Sequence, residues 1–149
     1  MSTRSTERAS RIYLDTNVVL DLLEPSRGFF VEARAIFDLA IAGEIELLVS
    51  ALSFANIAYV YRTRPPQVVR QVLRQTIPLV TLVDLSAGDL KSAVAEDSPF
   101  RDLEDDMQHA GAVRIGAEVI ITREPTDFKA ATLPVLSPAD FLAQQAAGD

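Results

Sequence analysis

The feature that most constrains the fold is a series of short, wholly apolar runs separated by segments with helical spacing. Residues 11–14, 47–49, 79–83 and 119–121 are apolar runs that predict strands, and residues 133–136 predict a short fifth strand. Strands that are apolar on both faces are typical of parallel sheets covered by helices. The alternation therefore predicts an α/β layer structure around a parallel sheet.

The length of the chain fits one domain. It has 149 residues, enough to bury a substantial core, and no domain boundary or internal repeat is evident. The polar residues 1–10 predict a flexible N-terminal tail, residues 11–143 predict the domain, and residues 144–149 predict a C-terminal tail.

Composition excludes several classes of protein. No apolar run approaches the roughly 20 residues of a membrane-spanning helix, and the N-terminus lacks the apolar core of a signal peptide. The absence of cysteine excludes disulfides and thiolate metal sites. We therefore expect a cytoplasmic protein with no membrane partner.

Charge is distributed unevenly along the chain. The net charge is −7, yet residues 47–83 contain no acid and four arginines, which are Arg62, Arg64, Arg70 and Arg74. Residues 84–106 contain eight acids against Lys91 and Arg101. This pattern predicts either a phosphate-contacting surface beside a metal site or two solvated surfaces of opposite sign.

Carboxylates follow two of the predicted strands and begin a late helix. Asp15 follows the first strand, Glu124 and Asp127 follow the fourth, and an acidic cluster opens the intervening helix with Asp102, Glu104, Asp105 and Asp106. Each acid has an ordinary alternative role at a helix start or turn. Together they could converge at the carboxyl edge of the sheet, where the repulsion would be offset by a hard divalent cation such as Mg²⁺.

Other chemistries fit less well. With one histidine and no cysteine, the chain lacks the usual ligands of a zinc site. We expect His109 to be a surface or groove residue. Neither a glycine-rich phosphate loop nor a G-x-S-x-G nucleophile motif occurs. A phosphoaspartyl phosphatase or receiver domain would need D-x-D after strand one or an aspartate ending a central strand. Asp15 is instead followed by Thr16 and Asn17.

Four segments, in order, resemble the PIN domain, the fold of the VapC-type toxin ribonucleases. They are residues 12–18 (IYLDTNV), 49–57 (VSALSFANI), 102–108 (DLEDDMQ) and 119–128 (VIITREPTDF), and the resemblance spans about residues 11–142. It implies a three-layer α/β/α fold with a mostly parallel sheet of four to five strands. It also implies an endoribonuclease that depends on Mg²⁺ or Mn²⁺.

The resemblance assigns candidate site residues by position. Asp15 matches the first-strand aspartate and Asp105 the aspartate of the late helix. Asp127 matches the acid that follows the fourth strand, with Glu124 as the competing candidate and metal ligand. Two small polar residues that match the lining of the site are Asn17 and Thr122.

One position departs from the family pattern. The family commonly has a glutamate where this chain has Asn56, whose amide oxygen can ligate a cation but carries no charge. Asp106 stands where a small apolar residue is common, so its charge could compensate. The departure keeps open an alternative function, a catalytically weakened PIN fold that binds RNA or a protein.

The resemblance also implies partners. An RNA substrate and a small antitoxin protein are expected, and a homodimer is a further hypothesis. The early helices are rich in aromatic residues that could form such an interface or a groove for an antitoxin peptide. These residues are Phe29, Phe30, Phe54, Tyr59 and Tyr61.

Overall fold

A computed structural model describes residues 9–148, which contain a five-stranded sheet in the order β3-β2-β1-β4-β5. All neighbouring strands pair in parallel. The predicted fold class is therefore confirmed. The strands are β1 (Ser10–Leu14), β2 (Ile45–Ser50), β3 (Thr81–Val83), β4 (Val119–Ile121) and β5 (Val135–Leu136).

Seven helices in the described residues flank this sheet. They are α1 (Thr16–Leu23), α2 (Phe30–Ile41), α3 (Ala51–Val60), α4 (Pro66–Thr76), α5 (Ala87–Ala93), α6 (Leu103–Ile115) and α7 (Pro138–Gly148). Side-chain caps mark several starts: Ser50 caps α3, and Ser86 forms a capping box with Asp89 at α5. Gly116 ends α6 at φ 80°, a backbone conformation that side chains with a Cβ rarely adopt.

The two faces of the sheet build separate cores, which gives the three-layer arrangement. On one face, strand residues such as Leu14 and Leu47 pack against α1, α2, α3 and α7. On the other face, Tyr13, Leu48 and Ile120 pack against α6 and Phe128. Adjacent residues of one strand point to opposite faces, so both faces of β1 are buried, as its apolar sequence predicts.

Several element boundaries differ from the prediction. The third strand begins at Thr81 rather than at Leu79, because Leu79 belongs to the 3-10 turn Ile77–Leu79. The predicted tail at 144–149 is helical through Gly148, since α7 continues there. Of the predicted N-terminal tail, residues 1–8 lie outside the described residues, and Ser10 already belongs to β1. Within residues 9–148, no helix has the length and apolarity required to cross a bilayer.

Candidate active site

Asp15 occupies the end of β1, at the carboxyl edge of the sheet and at the cap of α1. Its Oδ1 accepts from the Thr16 backbone N–H at 2.7 Å and from Gln108 Nε2 at 3.0 Å, and its Oδ2 accepts from Thr122 Oγ1 at 2.8 Å. Burial raises the pKa of Asp15, although these three hydrogen bonds oppose the rise, and Asp127 adds to it. Asp15 therefore caps α1 and also places its carboxylate at the carboxyl edge of the sheet.

Gln108 is a site residue that the sequence prediction missed. It is almost fully buried, and its amide oxygen accepts from the Tyr13 hydroxyl at 3.4 Å. This contact directs the amide nitrogen toward Asp15 and, at 3.4 Å, toward Glu104. Gln108 thus connects the acid after β1 with an acid of α6. Its spacing of four residues from Glu104 was the available sequence signal.

Two acids of α6 face Asp15. Burial raises the pKa of Asp105 to about 7, with further increases from Asp102, Asp15, Asp127 and Glu104. Glu104 behaves in the same way: burial raises its pKa first, and the neighbouring charges of Asp15 and Asp102 raise it further. Their mutual effects place Glu104 and Asp105 within electrostatic reach of Asp15.

The loop after β4 supplies the fourth acid. Asp127 raises the pKa of both Asp15 and Asp105, and it lines the same cavity as Asp105, whereas Glu124 does not line that cavity. Thr122 fixes the start of this loop, because its hydroxyl oxygen accepts from Asn17 Nδ2 at 3.3 Å and from the Glu124 backbone N–H at 3.0 Å. The placement favours Asp127 over Glu124 as the fourth acid. We call Asp15, Glu104, Asp105 and Asp127 the acidic group.

Asn56 lies beside this acidic group on α3. Its amide lowers the pKa of Glu104, which identifies Glu104 as its neighbour. The Asn56 Nδ2 atom is buried and has no hydrogen-bond partner of good geometry within residues 9–148. A buried amide left in this state is costly, so a group outside the described chain would relieve it.

Three other candidates have local roles. Asp102 caps α6, since its Oδ1 accepts from the Asp105 backbone N–H at 2.9 Å. Asp106 is buried and accepts a hydrogen bond from the Ser98 hydroxyl. The acid that lies beside Asn56 is Glu104. His109 Nε2 accepts from the Thr132 backbone N–H at 3.0 Å, and its ring lies 5.0 Å from that of Phe100. His109 makes no hydrogen bond to Asp105 among the described residues.

The donor set suits a hard divalent cation. It consists of carboxylate and amide oxygens whose negative charges raise one another's pKa values, a cost that a bound cation would offset. Residues 9–148 contain no group of three His, Cys, Asp or Glu side chains close enough to ligate one ion. A hard cation at this edge would therefore be held by no more than one or two of these carboxylates and by water, as is common for Mg²⁺.

The site opens into a cavity of about 250 Å³ with mixed charge. Its lining includes three acids, Asp102, Asp105 and Asp127, and two cationic residues, Arg101 and Lys129. Cations beside a carboxylate site can contact phosphates that flank the reacting one. The cavity therefore combines carboxylates with two cationic side chains.

The profile of the PIN domain family matches residues 11–125, which contain β1 through β4 and all of the acidic group except Asp127. This chain belongs to the PIN domain family. The order of its strands and the convergence of its acids can now be interpreted within that family.

Relatives of this PIN domain carry related names. The chain is 19% identical over 136 residues to Ribonuclease VapC1 of Aquifex aeolicus (strain VF5), covering 89% of this chain and 94% of that one. It is similar in fold to VapBC2 of Rickettsia felis bound to a promoter DNA fragment, with a TM-score of 0.64, 16% identity, and coverage of 85% and 98%. A toxin-antitoxin complex of Klebsiella pneumoniae gives a TM-score of 0.64, 20% identity, and coverage of 85% and 97%.

Proposed function

We propose that this PIN domain is a divalent-metal-dependent endoribonuclease and the toxin of a toxin–antitoxin pair. The carrying observation is that Gln108 hydrogen-bonds both Asp15 and Glu104 while Asp105 and Asp127 line one cavity, an environment that raises the pKa of Asp105 to about 7. Among the described residues, no cationic side chain forms an ion pair with any of these four acids. The similarity to a curated ribonuclease supports RNA as the substrate.

In the proposed mechanism, the acidic group holds Mg²⁺ or Mn²⁺. A divalent cation there would activate water and stabilise the charge that develops on the phosphoryl group during cleavage. Asp15 is the most strongly oriented ligand, because hydrogen bonds from Thr16, Gln108 and Thr122 fix both of its oxygens. Asp105 on α6 and Asp127 in the loop after β4 would add further negative charge around the cation.

Asn56 and Glu104 have complementary parts in this proposal. Glu104 supplies the carboxylate that the family commonly carries on α3, and the Asn56 amide lies against it. The Nδ2 of Asn56 is the amide atom that can donate to Glu104, although its geometry falls short of a regular hydrogen bond. In this proposal the site keeps four carboxylates, with Glu104 of α6 in the part of a glutamate on α3.

RNA is proposed to approach over the cavity that Arg101 and Lys129 line. Their charges offset the repulsion between a polyanion and the acidic group without involving the base edges. Arg62 and Arg64, which the sequence suggested as phosphate contacts, already contact other side chains of the chain. Arg62 lies 4.0 Å over the Tyr59 ring, and Arg64 lies 4.7 Å over the Tyr61 ring and pairs with Glu24 at 3.1 Å.

A small antitoxin is the proposed protein partner, because the similar structures include VapBC2 and a toxin-antitoxin complex. A groove of about 350 Å³ between α3 and α4 is lined by apolar residues that include Val69 and Leu73 and by cationic residues that include Arg62 and Arg70. Such a groove suits an amphipathic segment with acidic flanks. Of the five aromatic residues considered for association, Phe54 and Tyr61 are buried, and Phe29 and Tyr59 are exposed. A homodimer remains a proposal that light scattering tests.

A PIN fold that binds RNA without cleaving it is the second candidate function, and the neutral Asn56 favours it. The two functions differ in their dependence on metal and on Asp15. We expect the purified protein to cleave a panel of single-stranded RNAs in the presence of Mn²⁺. Addition of EDTA should stop this cleavage. Asp15→Asn should abolish cleavage, whereas the control Asp38→Asn, at an exposed ion pair with Arg34, should retain it. RNA binding without cleavage by the unaltered chain would support the binding module.

A further inference from the structure

The loop that follows β4 is attached to two successive turns of α1 through Arg123. The Arg123 backbone N–H donates to Asn17 Oδ1 at 3.3 Å. Its Nε lies 2.6 Å from Asp21 Oδ2. Because Asn17 and Asp21 are four residues apart, they lie on the same face of α1. One loop residue is thus fixed by both its main chain and its side chain.

Asp21 is a buried carboxylate shared by two arginines. Its side chain is 1% exposed, and its Oδ1 accepts from Arg27 Nε at 2.8 Å. The Arg123 Nε–H does not point directly at Oδ2, so that contact is ionic rather than a directed hydrogen bond. The Arg123 guanidinium also lies 4.2 Å from the centre of the Phe29 ring. The aromatic ring and the buried charge together hold the guanidinium.

The two arginines differ in what they connect. Arg123 directly follows Thr122, whose hydroxyl binds Asp15, and the same loop continues to Asp127. Arg27 belongs to the short turn Pro25–Arg27 after α1. Within the described residues, its hydrogen bonds reach only Asp21 and the Glu24 carbonyl. Arg123 therefore couples the buried charge to the site loop, and Arg27 does not.

We propose that Arg123 is a positioning residue that holds the loop after β4 against α1 and thereby places the Asp127 carboxylate beside Asp15 and Asp105. The structural part stands on the contacts of Arg123. Its catalytic consequence rests on the proposed nuclease function. Arg123 touches neither the acidic group nor the reacting atoms in this account, so it acts through the loop.

Arg27→Ala is a matched control for Arg123→Ala, because each variant leaves Asp21 with one arginine. We expect similar decreases in melting temperature for the two variants. Arg123→Ala should lower the kcat/KM for RNA about 10- to 100-fold, mainly through kcat, since misplacing a reacting group by about 1 Å has effects of this size. Arg27→Ala should stay within about threefold of the unaltered chain. Arg123→Lys should recover part of the loss, because it keeps a cation near Asp21.

Hydrogen exchange in metal-free buffer gives a readout that does not depend on activity. We expect the backbone amides of Glu124 and Asp127 to exchange faster in Arg123→Ala than in Arg27→Ala, and the rise in melting temperature with Mn²⁺ to shrink only in Arg123→Ala. Arg123→Lys carries the same comparison if the alanine variant does not fold.

Equal exchange at these amides in the Arg123 and Arg27 variants would overturn the positioning role. If the unaltered chain cleaves no RNA, the proposed nuclease function fails. The exchange comparison then still decides whether Arg123 holds the loop.

Discussion

Acids occur in two contrasting environments in this protein, one with arginine partners and one without. Asp21 and Asp89 each contact arginine: Asp21 lies between Arg27 and Arg123, and Asp89 lies 3.0 Å from Arg114. Burial raises the pKa of Asp89, but the bonds from Arg114 and the Ser86 backbone outweigh it and hold this pKa below its usual range. In the acidic group the corresponding cations are absent among residues 9–148, and the pKa values of Asp15 and Asp105 are raised.

The comparison separates acids that have an arginine partner from acids that have no cationic partner among residues 9–148. Removing one partner of a buried carboxylate–arginine pair is destabilising, because the other charge is left buried without a partner. A group of carboxylates without a cation has a cost that the folded chain does not itself offset. Such a cost is expected where a cation binds, and functional sites commonly store it.

The largest expected effect on cleavage comes from replacing an acid of the acidic group by its amide, compared with the same replacement of an acid that is paired with arginine. Asp15→Asn should lower RNA cleavage more than a hundredfold, because it removes the best-oriented ligand of the proposed cation. Asp89→Asn should instead lower stability by about 1–2 kcal/mol, since it leaves Arg114 without its partner at a partly exposed site. Cleavage assays and thermal melts of both variants check this pair of opposite effects.

The contrast would be lost if Asp89→Asn abolished cleavage while retaining its stability. It would also be lost if Asp15→Asn retained cleavage.

Asp105 predicts a pH dependence of opposite sign to that of a paired acid. Its pKa rises from 3.8 in the reference state to about 7 in the fold, so the folded state binds the proton more tightly. The stability from this group is fully present below pH 3.8 and is lost as the pH rises to about 7. Asp105→Asn should remove this loss and raise metal-free stability at pH 8 by about 1–2 kcal/mol, after allowance for solvent screening.

Metal-free melts of the unaltered chain and of Asp105→Asn between pH 4 and pH 8 test this prediction. Parallel stability curves for the two proteins would show that Asp105 titrates normally. The acidic group would then resemble the paired acids.

Asn56→Glu tests whether the site tolerates one more carboxylate. The new acid would lie beside Glu104, so the metal-free protein should become less stable by about 1 kcal/mol. Mn²⁺ should reverse this decrease, because an ion that binds only the folded state stabilises it. Asn56→Gln, which adds length without charge, is the control. Equal destabilisation of the glutamate variant with and without Mn²⁺ would place Asn56 outside the proposed metal site.

The smallest expected effect concerns the cationic surface of α3 and α4. Replacing Arg62 and Arg70 with alanine should weaken the binding of different RNAs about equally, and by less than tenfold, because phosphate contacts carry no sequence information. The slope of affinity against salt should become shallower. Unchanged affinity and slope would assign this groove to a protein partner alone.

Much of the fold could be predicted from the sequence. The apolar runs at β1, β2 and β4 predict strands of a parallel sheet that helices cover on both faces. An acid directly after such a strand lies at the carboxyl edge of the sheet. Asp15 was predictable for this reason. The start of β3 was not, because a run of apolar residues does not reveal that Pro78 makes a turn.

The acidic group was less predictable. Along the sequence, Asp102, Glu104, Asp105 and Asp106 look equivalent, and only the start of α6 at Leu103 makes Asp102 a cap. The rotation of the helix then directs Glu104 toward Asp15 and Asp106 toward Ser98. Gln108 carries no charge, so no charge pattern could identify its contact with Asp15.

Calorimetric titration of the RNA-free chain with Mn²⁺ tests the central claim most directly. If the acidic group holds the cation, binding must displace protons from carboxylates with raised pKa values. We predict saturable binding at pH 6.5 that releases protons, seen as a heat that changes with the ionisation enthalpy of the buffer, and we predict its loss in Asp15→Asn. Absence of binding at millimolar Mn²⁺, or equal binding by Asp15→Asn, would contradict the account.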